Sequence, residues 1–440
     1  MPGRAWRLLA ALFVSLSLFV AACGGGSSTP VAPTVADPTA ALEPTPSPSP
    51  APAVRDVRPD GERILGYVRK LADEIGPRPA GTPAERQAVD YLVGLLRSFG
   101  YDVSIQDFTV TNESGREAKV ELTSPAGGPP SLTALPLARS ASGSVSGRLV
   151  PSGLGRPSEF PASVSGNIAL IERGELTFQE KVINAMGAGA RGVIIFNNQP
   201  GTFLGSLSQE SRIPAASISQ EDGQSLLRAA GSGAVEARVT IGPAGTAVAH
   251  NVIAKPPGKD CETVTGGHFD SVPQAPGASD NATGTATVIE VAGVLAQSGQ
   301  MGAHCFVLWG AEEIGLVGSA AYVASLRPEQ RARLKAVLNL DMVGVGNDTW
   351  LLIGSPDLQA RGQTIADQLG IGARRGSLTN ASSDHASFIS AGIPALMLHR
   401  WEDPLLHTPQ DVSSRVQPRL LEEAARFSIA FLQSFAAGGG

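Results

Sequence analysis

The chain has 440 residues, with 34 Lys and Arg against 40 Asp and Glu, a formal net charge of -6, and 42% hydrophobic but only 17% charged residues. That length exceeds what one core usually holds, so two folded domains are expected. No long basic run occurs beyond the first residues, which removes the electrostatic footprint of a nucleic-acid binder, and no nucleic-acid partner is expected.

Arg4 and Arg7 precede an apolar run from Leu8 to Val20, and Ala21-Ala22 lead into Cys23. This is the layout of a secretory signal over residues 1–22. Val-Ala-Ala-Cys resembles a bacterial lipobox. The resemblance implies export, cleavage before Cys23, lipidation of its thiol and anchorage to the cell membrane surface as a lipoprotein. An ordinary cleaved signal or an uncleaved anchor is the alternative. Residues 23–56 are Gly, Ser, Thr, Ala and Pro with few large apolar side chains, too little to bury, and predict a disordered stalk extended by its Thr-Pro and Ser-Pro repeats. After Cys23 only Cys261 and Cys305 remain. Each begins a predicted strand, so a disulfide between neighbouring strands and a pair of buried free thiols are both open.

Ile64, Val68, Leu71 and Ile75 recur at helical spacing, and after GPRPAGTP a second stripe runs through Val89, Leu92, Leu96 and Phe99. Two amphipathic helices are predicted. Gly100 ends the second, and Tyr101 to Val110 reads as a strand. Between Ser124 and Gly245 the texture changes to short strands punctuated by Gly, Ser and Pro, with one helical stretch from Thr177 to Met186. The string IERGELTFQEKVINAMGAGARGVIIFNN resembles the protease-associated domain, a β-rich insert of several peptidase families. It holds no His, and a lid or spacer is the expected role.

From Asn251 the strand and helix patterns alternate: Asn251 to Ala254, Glu262 to His268, Thr285 to Ala296, His304 to Trp309, Leu316 to Leu326 and Ala336 to Met342. Such alternation predicts an α/β fold with a mostly parallel sheet covered on both faces. Ligands of such sheets sit beyond the carboxyl ends of the strands. His268, the Glu312-Glu313 pair and Asp341 all fall at or just past those ends, and Asp280 and His407 complete a set of two imidazoles and four carboxylates. Imidazole and carboxylate without thiolate suit zinc in a catalytic site. Five ligands are too many for one such ion but fit two if a carboxylate bridges, which leaves one acid as a base.

HFDS, SDNATG, GAEEIGLVGS, NLDMVG, SSDHASF and HTPQD, in that order, resemble the co-catalytic di-zinc aminopeptidase family that includes aminopeptidase Y and secreted bacterial leucyl aminopeptidases. The resemblance covers Pro59 to Val110 and Ala247 to Phe435. It implies a phosphorylase-like α/β/α sandwich at 57–123 and 246–436, interrupted by the protease-associated insert at 124–245. It also implies two Zn2+ per chain bridged by Asp280, with His268 and Asp341 on one ion, Glu313 and His407 on the other, and Glu312 as general base. Asp270, two residues after His268, is expected to orient that imidazole through its other nitrogen. Asp411 is expected to cap the loop carrying His407, and His385 to lie near the site without binding metal. His250, His304 and His399 read as structural.

The expected substrates are peptides with a free N-terminus. A carboxypeptidase or dipeptidase of the same fold, resembling glutamate carboxypeptidase, is the alternative. A catalytically inactive, receptor-like relative would lose metal ligands, and none is missing here. Pocket walls are expected from Phe388, Ile389 and Trp401.

Overall fold

The computed structural model describes residues 58–436 apart from 114, 124–130, 379–380 and 401–402. The expected signal, Cys23, the stalk and Trp401 lie outside the described residues.

The first apolar stripe forms α1 (Gly61–Arg69), capped by the Asp60 carboxylate, which accepts from the backbone of Glu62 and Arg63. It runs on into a wider π-helical turn over Lys70–Ile75. Thr82 caps α2 (Pro83–Ser98), and β1 (Asp102–Asn112) follows.

The chain then leaves for a second sheet. Its elements are β2 (Ala118–Leu122), β3 (Ser131–Ala138), β4 (Gly143–Pro151), β5 (Ile168–Glu172), α3 (Phe178–Gly187), β6 (Gly192–Phe196), β7 (Gly205–Ser206), β8 (Ala215–Ile218), α4 (Gln220–Ser232) and β9 (Glu236–Ile241). Strand order is β2-β9-β4-β5-β6-β8-β3-β7, and β2 also pairs with β3, so the sheet closes on itself. Closure removes two edges that would otherwise expose unpaired backbone. The texture change at Ser124 places the start of this unit too late, because β2 already pairs with β9 and β3. Its sequence, AKVEL, carries none of the Gly and Pro punctuation that marks the rest.

The first sheet resumes with β10 (Gly245–Lys255), β11 (Thr263–His268), α5 (Thr283–Gln297), β12 (His304–Trp309), α6 (Val317–Ser325), α7 (Pro328–Arg333) and β13 (Ala336–Asp341). It is completed by β14 (Trp350–Gly354), α8 (Pro356–Leu369), β15 (Ala373–Gly376), α9 (His385–Ser390), β16 (Ala395–His399) and α10 (Pro418–Ala436). Strand order is β1-β10-β12-β11-β13-β16-β14-β15. The expected parallel arrangement holds for the central β12, β11, β13 and β16. The flanks are mixed: β10 runs antiparallel to both β1 and β12 and β14 antiparallel to β16, while β14 and β15 are parallel. β10 is longer than its apolar run because its first half pairs with β1 alone, at the point where the second unit is joined.

Successive side chains of a strand point to opposite faces. In β12, Phe306 and Leu308 join a core with α1, α2, α5, α8 and α10, while Cys305, Val307 and Trp309 pack with α6 and α9. Helices thus cover both faces of a mixed α/β fold. The central helix α5 lies so close to β13 that a Cβ on Gly284 would stand 2.1 Å from the Leu340 carbonyl oxygen. This explains the glycine of SDNATG and draws that motif against the end of β13. Among the described residues no helix is long and apolar enough to cross a membrane.

Cys261 and Cys305 are joined as a disulfide, with Cα atoms 5.5 Å apart and 44 residues between them in sequence. It links the approach to β11 with β12. Closing a loop of that length removes unfolded-state entropy equivalent to about 4 kcal/mol in the chain-entropy model. The double variant Cys261→Ser/Cys305→Ser should therefore lose about 2–4 kcal/mol in urea unfolding; an unchanged midpoint would show that the bond does not form in solution.

Candidate functional site

The parallel centre of the first sheet delivers four of the six candidate side chains at or just past its strand ends. His268 is the last residue of β11, Asp341 the last of β13, and Glu312 and Glu313 lie in the turn after β12. Asp280 precedes α5 in an irregular turn and is joined to Asn281 by a cis peptide, and His407 comes from the loop before α10. Among the described residues six non-glycine residues have positive φ, and Ala311 (59°), Leu316 (61°), Met342 (56°) and His407 (58°) belong to these loops. Left-handed backbone is costly for residues with a Cβ and is retained where the surroundings over-determine it. Here it turns the chain sharply just before Glu312 and just after Asp341.

All six side chains converge. Asp280 lies between the two imidazoles, with Oδ1 3.1 Å from His268 Nε2 and Oδ2 3.0 Å from His407 Nε2. Glu313 Oε2 is 3.1 Å from His407 Nε2. Around His268 Nε2 lie Asp341 Oδ1 at 3.6 Å and Glu312 Oε2 at 3.9 Å. The adjacent acids diverge, Glu313 to one imidazole and Glu312 towards the other.

Burial disfavours charge on His268, yet Glu312, Asp270, Asp280 and Asp341 together hold its pKa well above the ordinary value. His407 is likewise lifted against burial, to about 10, by Asp280 and Glu313. Burial and Asp280 push Glu313 up to about 7. Burial, with Asp384, Glu313 and Asp341, drives Glu312 well above the carboxylate range. Asp280 alone goes the other way, because the His268 and His407 imidazoles on its two sides outweigh its burial. So many acids around two rings make a strongly cation-seeking cluster.

The donor atoms fit a metal. His268 Nε2, Glu313 Oε1 and Asp341 Oδ1 are buried with no hydrogen-bond partner, an arrangement that costs free energy unless an ion takes the lone pairs. Among the described residues, two groups have ligand atoms within 4.8 Å of one another: His268, Asp280 and Glu313, and His268, Glu312 and Asp341. Nitrogen and carboxylate donors of this kind suit zinc. Proximity alone therefore places Glu312 beside His268 and Asp341, farther from His268 Nε2 than Asp341 is.

The supporting shell differs from expectation in two places. Asp270 Oδ1 lies 3.5 Å from His268 Nδ1, long for a hydrogen bond. Its firmer contacts are with backbone: Oδ1 accepts from Glu312 N at 3.1 Å and Oδ2 from Glu313 N at 3.3 Å. Asp270 thus holds the two acids as well as facing the imidazole. Asp411 does not cap its own loop with its carboxylate; Oδ1 accepts from Ser279 N at 2.7 Å and Oδ2 from Asp280 N at 3.2 Å. Sequence proximity to His407 suggested a local cap, but the carboxylate reaches across to fix Asp280.

Arg78, in GPRPAGTP, was not anticipated as part of the site. It is fully buried and donates to the carbonyls of Phe269, Leu71, Gly76, Pro276 and Gly277. Burial lowers its pKa to about 10, while Asp270, Asp411, Asp280 and Glu313 support its charge. It pins the loops that carry Asp270 and Asp280. Asp384 is also buried, with neither carboxylate oxygen hydrogen-bonded, and burial raises it to about 7. Phe388 is no pocket wall, because it is buried against Trp309 and Tyr322, whereas Ile389 is exposed. His250 pairs with buried Glu85, and His304 with Thr263.

The sequence profile of Peptidase family M28 matches residues 251–432, and that of the PA domain residues 145–226. Aminopeptidase YwaD of Bacillus subtilis (strain 168) is 33% identical over 387 residues, covering 81% of each chain. The chain belongs to peptidase family M28. Among solved structures, BSAP, a zinc aminopeptidase from Bacillus subtilis, is similar with a TM-score of 0.73 at 29% identity, over 87% of this chain and 96% of its own. An aminopeptidase from Aneurinibacillus sp. strain AM-1 is similar with a TM-score of 0.65 at 30% identity, over 86% and 94%. The M28 match contains all six converging residues, and the PA match lies within the second sheet.

Asp411 touches no candidate ligand side chain, only the backbone that presents Asp280. Asp411→Ala is expected to weaken zinc binding about 10–100-fold, as losses of ligand-orienting groups do. Competition with a chromogenic chelator would measure it, and unchanged affinity would contradict the assignment.

Proposed function

We propose that this chain is a zinc-dependent aminopeptidase removing residues from the free N-terminus of peptides. The observation that carries the reading is the Asp280 carboxylate divided between His268, at a strand end, and His407, in a loop, in a chain with the relatives described above. In this reading the chain would hold two Zn2+, with Asp280 shared between the sites, His268 and Asp341 completing one, and Glu313 and His407 the other. The family resemblance implies a phosphorylase-like α/β/α sandwich as the scaffold.

When bound, such ions lower the pKa of a water and polarise the scissile carbonyl. Glu312 is the general base. Its contact with His268, at 3.9 Å, is the longest that ring makes with these carboxylates, and its side chain keeps more exposure (12%) than those of Asp341 (9%) and Glu313 (7%). A proton taken from the attacking water at the Glu312 carboxylate is then handed to the leaving amine. Asp270 holds the Glu312 and Glu313 backbone and His268 still through the cycle. The substrate's ammonium group is met by the surrounding acids. Exported and lipidated at Cys23, the enzyme would act at a bacterial membrane surface; the lipobox pattern supports that part of the reading.

The zinc-loaded protein should cleave leucyl-p-nitroanilide but not its N-acetylated form, and chelation should abolish the cleavage until zinc is restored. Glu312→Gln should keep its metal content and lose about 10²–10⁴-fold in kcat. Cleavage of the acetylated reporter, or near wild-type turnover in the variant, would reject the reading. Cys23→Ala should move the protein out of the membrane fraction; retention there would reject lipid anchorage.

A further inference from the structure

The segment that carries Glu312 and Glu313 is held shut at its neck by one side chain. Asn251, on β10, is fully buried. Its Oδ1 accepts from Gly310 N at 3.1 Å, and its Nδ2 donates to the Gly318 carbonyl at 2.8 Å. Gly310 follows β12 and Gly318 lies in the first turn of α6, so a single amide spans both ends of the segment between them. The neck is tight. A Cβ on Gly318 would stand 2.1 Å from the Gly310 carbonyl oxygen and 2.5 Å from Asn251 Oδ1, and a Cβ on Gly310 would stand 2.5 Å from the His250 carbonyl oxygen.

Inside the neck the segment is bonded to itself. Val317 N donates to the Ala311 carbonyl at 3.0 Å, and Gly315 N and Leu316 N donate to the Glu312 carbonyl at 2.8 and 2.9 Å. A loop with this much internal bonding keeps its own shape, so the place where its neck is held sets how it stands on the sheet. Asp270 holds it at the two acids, and Asn251 holds it at the base. Asn251 is braced in turn. Its Nδ2 also donates to Gln106 Oε1 at 3.0 Å, and Gln106 is its partner across the β1–β10 ladder, where opposite side chains share a face. Gln106 Nε2 donates to the Ala321 carbonyl of α6 at 3.3 Å, so the brace returns to the helix that the neck leads into.

We infer that Asn251 is a positioning residue for the aminopeptidase reaction, its amide fixing the turn so that the Glu312 carboxylate stands where a base is needed; the inference rests on the function proposed above. Asn251 acts through the turn alone, because its amide bonds the neck and Gln106 rather than any of the carboxylates. Gly310 is buried, and its N–H loses its acceptor when the amide is removed, which opens the neck or leaves a buried donor unpaired. Either outcome moves the base. A displacement of about 1 Å in a reacting group costs on the order of 100-fold in rate.

The test measures kcat and KM for leucyl-p-nitroanilide at saturating zinc, and backbone hydrogen exchange, in wild-type protein, Asn251→Leu and Asn251→Asp. Leucine removes every hydrogen bond of the amide at similar size, whereas aspartate keeps an acceptor for Gly310 and loses the donor to Gly318. Asn251→Leu is expected to lower kcat about 10–100-fold with KM within about threefold of wild type. Exchange at Gly310, Gly315, Leu316 and Val317 should quicken by about tenfold or more while β11 and β13 keep their protection, because the opening is local. Asn251→Asp should fall between the two in kcat and keep Gly310 more protected than Asn251→Leu does. Gly318→Ala, which crowds the neck from the other side, should repeat the Asn251→Leu pattern. A folded Asn251→Leu protein with kcat within about threefold of wild type, or protection lost evenly over the whole sheet, would overturn the inference while leaving the aminopeptidase reading intact. Should Asn251→Leu not fold, Asn251→Asp is read against the same outcomes. No cleavage of leucyl-p-nitroanilide by the zinc-loaded wild type would overturn both.

Discussion

The Asp280 carboxylate, with one oxygen turned to each of two imidazoles, is the constraint from which the rest of the site follows. A carboxylate shared in this way must be held at a fixed position and angle, because rotation of its plane would lose one partner. The chain fixes it through its backbone: Asp411 accepts the Ser279 and Asp280 N–H groups, and Arg78 grips the Gly277 and Pro276 carbonyls just before them. On the other side Asn281 donates to the Leu340 carbonyl and accepts from Met342 N, tying the same turn to the end of β13 and so to Asp341.

The balance of charge is equally constrained. Isolated buried carboxylates are unfavourable unless paired or bound to a cation. Here Asp280, Glu312, Glu313 and Asp341 face two imidazoles, with Arg78 behind them as a fully buried guanidinium whose own hydrogen bonds all go to carbonyls. Arg78 therefore adds positive potential without taking a lone pair from any acid. That division leaves the lone pairs of His268, Glu313 and Asp341 available for an ion.

Much of this was legible in the chain because strand ends announce themselves. The apolar runs ending at His268, Trp309 and Asp341 place chemistry at the carboxyl edge of a sheet, and the motif order brings Asp280 and His407 to it. What was not legible depends on contacts that no local pattern encodes. Arg78 reads as part of a Pro-rich break, since its partners are main-chain carbonyls scattered between Leu71 and Gly277. Asp411 looks like a local cap because it is near His407 in sequence, yet its partner is Asp280. Phe388 looks like a pocket wall beside a site motif, but the short helix α9 turns it into the core. The antiparallel flanks of the sheet were hidden because the ladder between β1 and β10 pairs segments separated by the whole insert, and β2 carries no punctuation that assigns it to the closed sheet.

Anomalous diffraction at the zinc edge, on crystals of the zinc-loaded soluble domain, addresses the shared carboxylate most directly. Two peaks flanking Asp280, one beside His268 and Asp341 and the other beside Glu313 and His407, are expected. A single peak with Asp280 bound through one oxygen, or a second peak that takes Glu312 as a ligand, would contradict the bridging role and the assignment of Glu312 as base.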